Sequence, residues 1–173
     1  VTGNHEWVLS REKRAALFSM LDAAGVVRLQ NEYKLLERGQ FSIVLAGADD
    51  PNGPFDQKRP AQLVREIRQA RGKDAYILML SHRNDELDLW ANMGVQTVLC
   101  GHGHGGIVRL PFVGAVFGTH LDLFPDYTAG LYQKGQTNMI VSRGLGGSRK
   151  LPLRIGNRPE IVTVILKTDS GEI

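Results

Sequence analysis

The chain has 173 residues, with 21 lysines and arginines against 18 aspartates and glutamates and a formal charge of +3. Hydrophobic residues make up 42% of it, which is enough for one domain with a core and excludes a disordered or collagen-like chain. No apolar run reaches the roughly 20 residues that a membrane-spanning helix needs. The single cysteine, Cys100, excludes an internal disulfide.

The first sixty residues predict a helix, two strands and a loop. Ser10 is a suitable helix N-cap, because its hydroxyl can accept a hydrogen bond from a free amide of the first turn, and Gly25 is a suitable stop. Strands are predicted over 26–29 and 41–46 with a turn at 38–40, and the Pro and Gly content of 47–60 predicts a loop. The helix should bury one face, formed by Leu17, Phe18, Leu21 and Ala24.

The next elements alternate between helix and strand. Pro60 suits the first position of a helix, because its missing amide would be unpaired there in any case. Short apolar runs at 75–80 and 95–100 predict strands buried on both faces, with a helix at 85–93 between them. The helix that starts at Pro60 should bury a stripe formed by Leu63, Val64, Ile67 and Ala70.

The last third predicts antiparallel hairpins, from short apolar runs separated by Gly and Pro. The predicted strands are 107–110, 130–133, 139–142 and 160–166, with a turn at 134–136. The apolar stretch 110–124 predicts a core hairpin, with a lipid-facing surface as the alternative. Together the elements predict an α/β (α+β) chain with a mixed sheet.

The basic excess lies in one segment, residues 127–159, which has no acidic residue. Its basic residues are Lys134, Arg143, Arg149, Lys150, Arg154 and Arg158. Such a segment either binds anions such as phosphate esters or forms a solvated basic surface, and both readings stay open. Nucleic acid is not an expected partner, because no aromatic ladder interleaves with these residues.

Polar clusters containing histidine lie at the chain start and after two predicted strands. His5 lies in Gly-Asn-His-Glu at 3–6, His82 follows the strand at 75–80, and His102 and His104 follow the strand at 95–100. Open α/β sheets collect ligands at strand ends, and imidazole is the commonest ligand of borderline transition metals. The glycines of 101–106 allow a sharp backbone turn and close approach of a substrate.

The order of these clusters resembles that of the calcineurin-like metallophosphoesterases, whose third, fourth and fifth motifs are Gly-Asn-His-Glu, Ser-His and Gly-His-x-His-Gly-Gly. Further segments look like the branch of membrane-associated bacterial phosphodiesterases, which includes pyrophosphohydrolases that cleave UDP-diacylglucosamine. Those segments are 47–51, 108–112, 142–146, 151–154 and 157–160. The resemblance implies a four-layer α-β-β-α sandwich with mixed sheets, of which residues 1–173 form the C-terminal portion of a single domain.

The resemblance also implies the residues of a site with two divalent ions, manganese, iron or zinc. Asn4, His82 and His102 would ligate one ion, and His104 would ligate the other. His5 would lie beside the scissile phosphate, protonating the leaving oxygen or neutralising developing charge. Attack of a metal-bound hydroxide on a phosphodiester or pyrophosphate would follow. The substrate would be a phosphate-ester small molecule or a nucleotide-lipid, and the protein would be cytoplasmic or peripherally associated with a membrane.

Two further residues are candidates for substrate contact. Gly103 lies between His102 and His104, where relatives often have Thr. Arg143 is the best candidate in the basic segment for a phosphate contact, with a structural hydrogen-bonding role as the alternative.

Two motifs of the resembled family are absent: no Asp lies two residues before a His, and Gly-Asp does not occur. These motifs supply the remaining ligands of one ion and the carboxylate that bridges both. We therefore expect an upstream segment outside this sequence to be required for the full site, and the 173 residues alone to be inactive. The alternatives are a non-catalytic interaction scaffold on the same fold and a structural zinc domain built on His102, His104 and Cys100.

Four other residues have structural interpretations. Asp49 and Asp50 precede Pro51 and are expected to shape a turn. Cys100 closes an apolar strand and is expected to be a small core residue. His120 belongs to none of the motifs, and a structural role is favoured over one in lining the substrate channel.

Overall fold

The structure, a computed structural model, describes residues 1–147, 153–168 and 171–172. These residues form four helices, which are α1 (Asn4–Trp7), α2 (Arg11–Ala23), α3 (Pro60–Arg71) and α4 (Leu87–Asn92). They also form ten strands, which are β1 (Glu32–Arg38), β2 (Phe41–Gly47), β3 (Ile77–Leu80), β4 (Thr97–Cys100), β5 (Val108–Leu110), β6 (Gly114–Phe117), β7 (Gly130–Lys134), β8 (Thr137–Val141), β9 (Lys167–Thr168) and β10 (Gly171–Glu172).

Six strands form one mixed sheet in the order β1-β2-β3-β4-β8-β7. The four central strands are parallel, and β1 and β7 pair antiparallel at the two edges. The predicted α/β class with a mixed sheet is confirmed. Within the described ranges the other two sheets, β5–β6 and β9–β10, have two strands each, and the four-layer sandwich stays a prediction.

The core lies between this sheet and the helices α3 and α4. Leu63, Val64 and Ile67 of α3 are buried, and Trp90 of α4 is fully buried. Burying a side chain of this size contributes about 1.5–3 kcal/mol to folding. Pro60 is the first residue of α3, as predicted. The predicted stripe is one residue too long, because Ala70 is exposed: the last turn of α3 extends past the core.

Helix α2 has the predicted caps. The hydroxyl of Ser10 accepts from the amide of Lys13 at 3.4 Å, and Gly25 has a φ of 74°. The predicted apolar face is correct in direction but only half buried at Leu17, Phe18 and Leu21, and Ala24 is exposed. At 13 residues α2 is the longest helix of the described ranges, and none there is long and apolar enough to cross a bilayer.

The predicted strand at 26–29 is wrong, and the strand that pairs with β2 is β1. Val26 closes the end of α2 by donating its amide to the carbonyl of Leu21, so this stretch serves the helix end. Strand β1 has charged residues at many positions because it lies at the sheet edge and only alternate side chains are half buried. The turn at 38–40 is where it was predicted.

The predicted strand at 160–166 is also wrong. The segment is extended but has no strand partner among the described residues. Val164 and Ile165 share a cavity of about 470 Å³ with Phe41 of β2 and Ile140 of β8. The segment therefore lies against a face of the sheet, where no backbone ladder can form.

The stretch 110–124 forms the predicted hairpin but not a core. Strands β5 and β6 pair antiparallel, and their connection exposes Leu110, Phe112 and Val113. The predicted strands at 41–46, 75–80, 95–100, 107–110, 130–133 and 139–142 each overlap an observed strand.

Candidate active site

The parallel strands place the candidate residues at one edge of the sheet. Strand β2 ends just before Asp50, β3 just before His82, β4 just before His102 and β8 just before Arg143. Because the carboxyl ends of parallel strands lie at the same edge, these loops meet there. The topology of the central sheet therefore explains why residues far apart in sequence converge.

The chain start lies against this edge through hydrogen bonds. The amide of Thr2 donates to Oδ1 of Asp49 at 2.8 Å, and the indole of Trp7 donates to the hydroxyl of Thr2 at 2.9 Å. Gly3 caps α1, and its amide donates to Glu6 at 2.6 Å. A Cβ on Gly3 would lie 2.8 Å from the ring of His82, so only glycine fits between the two.

Three metal-ligand atoms converge at the strand ends. Oδ1 of Asn4 lies 2.9 Å from Nε2 of His82, and Nδ1 of His102 lies 2.9 Å from the same nitrogen. Two donors bound to one ion at about 2.1 Å and at a right angle would lie about 3 Å apart. Both distances from Nε2 of His82 match the spacing of two neighbouring ligands on one ion.

The imidazoles are neutral at neutral pH, as metal ligands must be. Burial lowers the pKa of His82, and burial, followed by the charges of His82 and Arg83, lowers the pKa of His102 to about 4. Burial and the charge of Arg154 lower the pKa of His104. Their ring nitrogens thus keep lone pairs available for a cation.

A buried ion pair supports the ring of His102. The side chain of Asp50 is fully buried, with 0% exposure, and Arg83 donates to its two oxygens at 2.7 and 3.0 Å. Burial alone would raise the pKa of Asp50, but the hydrogen bonds from Arg83 and from the amide of Asn52, together with the charge of Arg83, hold that pKa below its usual value. Arg83 also lies 3.3 Å from Nε2 of His102. Asp50 accepts from the amide of Asn52 as well, which confirms its predicted turn role.

The histidine loop holds two strained residues. His102 and His104 have φ angles of 65° and 50°, in the left-handed region that only a few per cent of residues other than glycine adopt, asparagine, aspartate and histidine more often than the rest. Such strain persists only where the surroundings enforce it, and it concentrates at functional sites. Asn157 supports the loop by donating to the carbonyl of His104 at 2.8 Å.

All five histidines of the chain line one cavity of about 410 Å³. His120 is the one for which the sequence favoured a structural role, and its ring lies 5.4 Å from that of His102. Asn4 lines the same cavity, and so do Gly3, Glu6, Val8 and Thr119. The only available signal for His120 was its residue type, since it lies in a loop without a motif.

The two predicted substrate contacts lie outside this cavity. Gly103 lines an adjoining cavity of about 350 Å³ together with His102 and His120. Arg143 lines a third, of about 610 Å³, with Arg154 and Arg158, and it forms an ion pair with Glu160 at 2.6 Å. Arg143 therefore does not line the histidine cavity, although its side chain packs on Gly105, next to His104.

The remaining basic residues are dispersed. Lys134 pairs with Asp88 at 2.7 Å on the surface. Arg149 and Lys150 lie outside the described residues. Cys100 is a buried core residue, as predicted, and burial raises its pKa to about 12. A thiol with this pKa in the core is unsuited to a zinc site with His102 and His104.

The donor set decides which metal centre these residues fit. Among the described residues no group of three or more His, Cys, Asp and Glu side chains is arranged to hold an ion. The convergent donors are two neutral imidazoles and one amide, which suit one borderline divalent ion such as manganese, iron or zinc. These three donors include no carboxylate that could bridge two ions. His104 lines the same cavity.

Comparisons with known proteins agree with this donor chemistry. The chain is similar to the uncharacterised metallophosphoesterase YkuE of Bacillus subtilis, with 31% identity over 171 residues, which are 97% of this chain and 55% of that protein. It is also similar to the phosphodiesterase YaeI of Escherichia coli, with 29% identity over 95% of this chain and 56% of that protein. The chain is thus similar, over almost its whole length, to proteins named metallophosphoesterase and phosphodiesterase.

Other metallophosphoesterases extend the comparison to animals. A Danio rerio protein named transmembrane protein with metallophosphoesterase domain is 26% identical over 96% of this chain and 38% of that protein. The chain spans about half the length of the two bacterial metallophosphoesterases. No family model and no solved structure matches it.

Proposed function

We propose that the protein is a metal-dependent phosphoesterase and that the cavity lined by its five histidines is the catalytic site. The observation that carries this proposal is that Oδ1 of Asn4 and Nδ1 of His102 both lie 2.9 Å from Nε2 of His82. The cavity that these residues line also holds His5, His104 and His120. Similarity to proteins named metallophosphoesterase and phosphodiesterase supports the reaction class. Neutral imidazoles at strand ends support the metal dependence.

Each polar residue of the cavity has a distinct proposed role. Asn4, His82 and His102 hold one divalent ion, and His104 contributes to a second. Bound ions would neutralise phosphoryl oxygens and lower the pKa of water, so that hydroxide is available at neutral pH. Arg83 and Asp50 keep the ring of His102 in place through their ion pair.

His5 is the proposed general acid. It lies on α1 at the wall of the cavity, its side chain is exposed, and it is outside the group of convergent donors. A histidine that is free of a metal can donate a proton to the oxygen that leaves phosphorus. Gly103 would let the substrate approach the histidine loop, and the ion pair of Arg143 with Glu160 favours its structural alternative.

The proposed substrate is a phosphodiester or a pyrophosphate, and a nucleotide-linked lipid is the finer candidate within that class. Similarity to the phosphodiesterase YaeI supports a phosphodiester substrate. The nucleotide-linked lipid draws support from the exposed apolar residues of 110–124, since the same loop contributes Thr119 and His120 to the cavity. Peripheral association with a membrane belongs to this finer proposal.

The charge of the donor set bears on whether the 173 residues are active by themselves. Four neutral ligands do not balance the charge of two divalent ions. We therefore propose that carboxylate ligands come from a part of the protein outside these residues, and that the 173 residues alone do not turn over a phosphodiester.

The test is hydrolysis of a chromogenic phosphodiester by the complete protein with added manganese. His5→Ala should reduce kcat about 10²- to 10⁴-fold, the range lost when a general acid is removed. His102→Ala should reduce manganese-dependent turnover at least about 100-fold, because it removes a ligand.

Gln69→Ala, on the exposed face of α3, serves as the matched control and should retain wild-type activity. Thermal unfolding of each variant separates lost chemistry from lost folding. Full activity in both His5→Ala and His102→Ala would show that the assigned cavity is not the catalytic site.

A further inference from the structure

His120 lies at the centre of a tight turn that follows β6. The amide of Gly118 donates to the carbonyl of Asp122 at 2.8 Å, and the amide of Leu121 donates to the carbonyl of Gly118 at 3.2 Å. An antiparallel bridge one residue further out closes this hairpin. Residues 119–121 are therefore a three-residue hairpin connection with a defined backbone, and His120 has a fixed position in it.

The turn brings His120 to the boundary of two cavities. The histidine cavity, lined by all five histidines, has a volume of about 410 Å³, and the adjoining cavity has a volume of about 350 Å³. His102, Thr119 and His120 line both of them, whereas His5 lines only the histidine cavity of the two. A ligand that extends from one cavity into the other must therefore pass His120.

The ring of His120 is available to such a ligand. Among the described residues it makes no hydrogen bond or ion pair, and it lies 5.4 Å from the ring of His102. The nitrogens of His82 and His102, in contrast, lie 2.9 Å apart within the group of convergent donors. An imidazole has at least one N–H donor in either protonation state, and its hydrogen bond to an anionic phosphodiester is a strong one.

The walls of the adjoining cavity limit the chemistry of the group that fits there. Asp85, Asp122 and Asp126 contribute exposed carboxylates, and no lysine or arginine of the described residues lines it. Carboxylates repel a second phosphate. The group that this cavity accommodates is therefore uncharged or cationic.

We propose that His120 is a substrate-binding residue, and that its ring contacts the ester group that stays on phosphorus when the other ester group leaves. This retained ester group extends past His120 into the adjoining cavity. The leaving group lies on the side of His5, the proposed general acid, which does not line the adjoining cavity. The inference rests on the proposed function, because it names where the two halves of the substrate bind.

The first test compares two substrates of the complete protein with added manganese. Bis(4-nitrophenyl) phosphate has a retained ester group, and 4-nitrophenyl phosphate has none. His120→Ala should lower kcat/KM for the diester at least about tenfold, mainly through KM, because a hydrogen bond to an anion is lost. The same variant should change kcat/KM for the monoester by less than about threefold. His120→Gln keeps an N–H donor and should lose less on the diester than His120→Ala.

The second test measures binding to the complete protein without turnover, by titration calorimetry. His120→Ala should bind manganese like the wild type, because His120 is not one of the convergent donors. It should bind diphenyl phosphate, a diester with a poor leaving group, at least about tenfold more weakly than the wild type.

Leu121→Gly is the matched control. Leu121 is exposed in the same turn, lines neither cavity and has a φ of 66°, at a position where glycine is the usual residue. This variant should therefore keep the turn and give wild-type values in both tests. Thermal unfolding of every variant separates a lost contact from a lost fold.

The proposal is overturned if His120→Ala binds and hydrolyses the diesters like the wild type, or if the wild type does not bind diphenyl phosphate. Equal losses on diester and monoester would also overturn it, because His120 would then not act through the retained ester group. Weaker manganese binding by His120→Ala would make His120 a metal ligand instead. If the wild type binds diphenyl phosphate through His120 but hydrolyses neither substrate, the proposed function fails and the binding role of His120 stands.

Discussion

His120 illustrates at the scale of single residues how the fold assembles a site that motifs describe only in part. Four histidines were candidates from their positions beside glycines and after strands, and the fifth lies in a loop without such a pattern. His120 reaches the cavity because the chain after β6 folds back, and its ring comes close to that of His102. A long-range approach of this kind has no periodicity or motif in the sequence from which to predict it.

Gly3 is the residue whose replacement tests the packing of the donors. A Cβ at this position would overlap the ring of His82, so Gly3→Ala should displace that ring from Asn4. We expect the manganese concentration for half-maximal hydrolysis to rise about tenfold or more, since misplaced ligands weaken metal binding.

Gly135→Ala is the matched control for this substitution. Gly135 has a positive φ at the tip of the β7–β8 hairpin, and a Cβ added there would have no other atom within 4 Å. This variant should lose some stability and keep the wild-type manganese dependence. An unchanged manganese dependence in Gly3→Ala would contradict the close packing of α1 on His82.

At the scale of elements, the sequence predicted strands best where burial dictates composition. Strands β3 and β4 lie inside continuous apolar runs, because parallel central strands are covered on both faces. The run at 26–29, which has three apolar residues and Arg28, follows the end of α2 and forms no strand, while the charged β1 pairs with β2 over seven residues. Composition does not distinguish an edge strand from a loop, since pairing depends on the turn and on the neighbouring strand.

The ion pair of Asp50 and Arg83 joins the loops that follow β2 and β3, and we expect it to stabilise the fold. Asp50→Asn removes the charge partner of the partly buried Arg83, so we expect the free energy of unfolding to fall by about 2–4 kcal/mol. Urea denaturation of the complete protein measures this. In a double-mutant cycle, Arg83→Gln should cost much less in the Asp50→Asn background than in the wild type.

The exposed pair of Lys58 and Glu66, at 2.6 Å, provides the control for that cycle. Glu66→Gln should change the free energy of unfolding by less than about 1 kcal/mol, because solvent screens an exposed pair. Equal effects of Asp50→Asn and Glu66→Gln would contradict a structural role for the buried pair.

At the scale of the whole molecule, the charge of +3 conceals an uneven distribution. The basic segment contributes Arg143, Arg154 and Arg158 to one cavity, while the cavity of the histidines is built mainly from neutral donors. The motif order predicted which residues carry the candidate chemistry, and the parallel sheet explains how they meet. Residues 107–124 are positioned by long-range pairing, such as that of Val108 with Ile155, and no local sequence pattern predicts it.

Metal binding by Asn4, His82 and His102 is the central claim, and titration calorimetry of manganese into the metal-free complete protein tests it most directly. We expect saturable binding by the wild type, at least about tenfold weaker binding by His82→Ala and by His102→Ala, and wild-type affinity in Gln69→Ala. Equal affinity of the wild type and the two histidine variants, or no binding by the wild type, would contradict it.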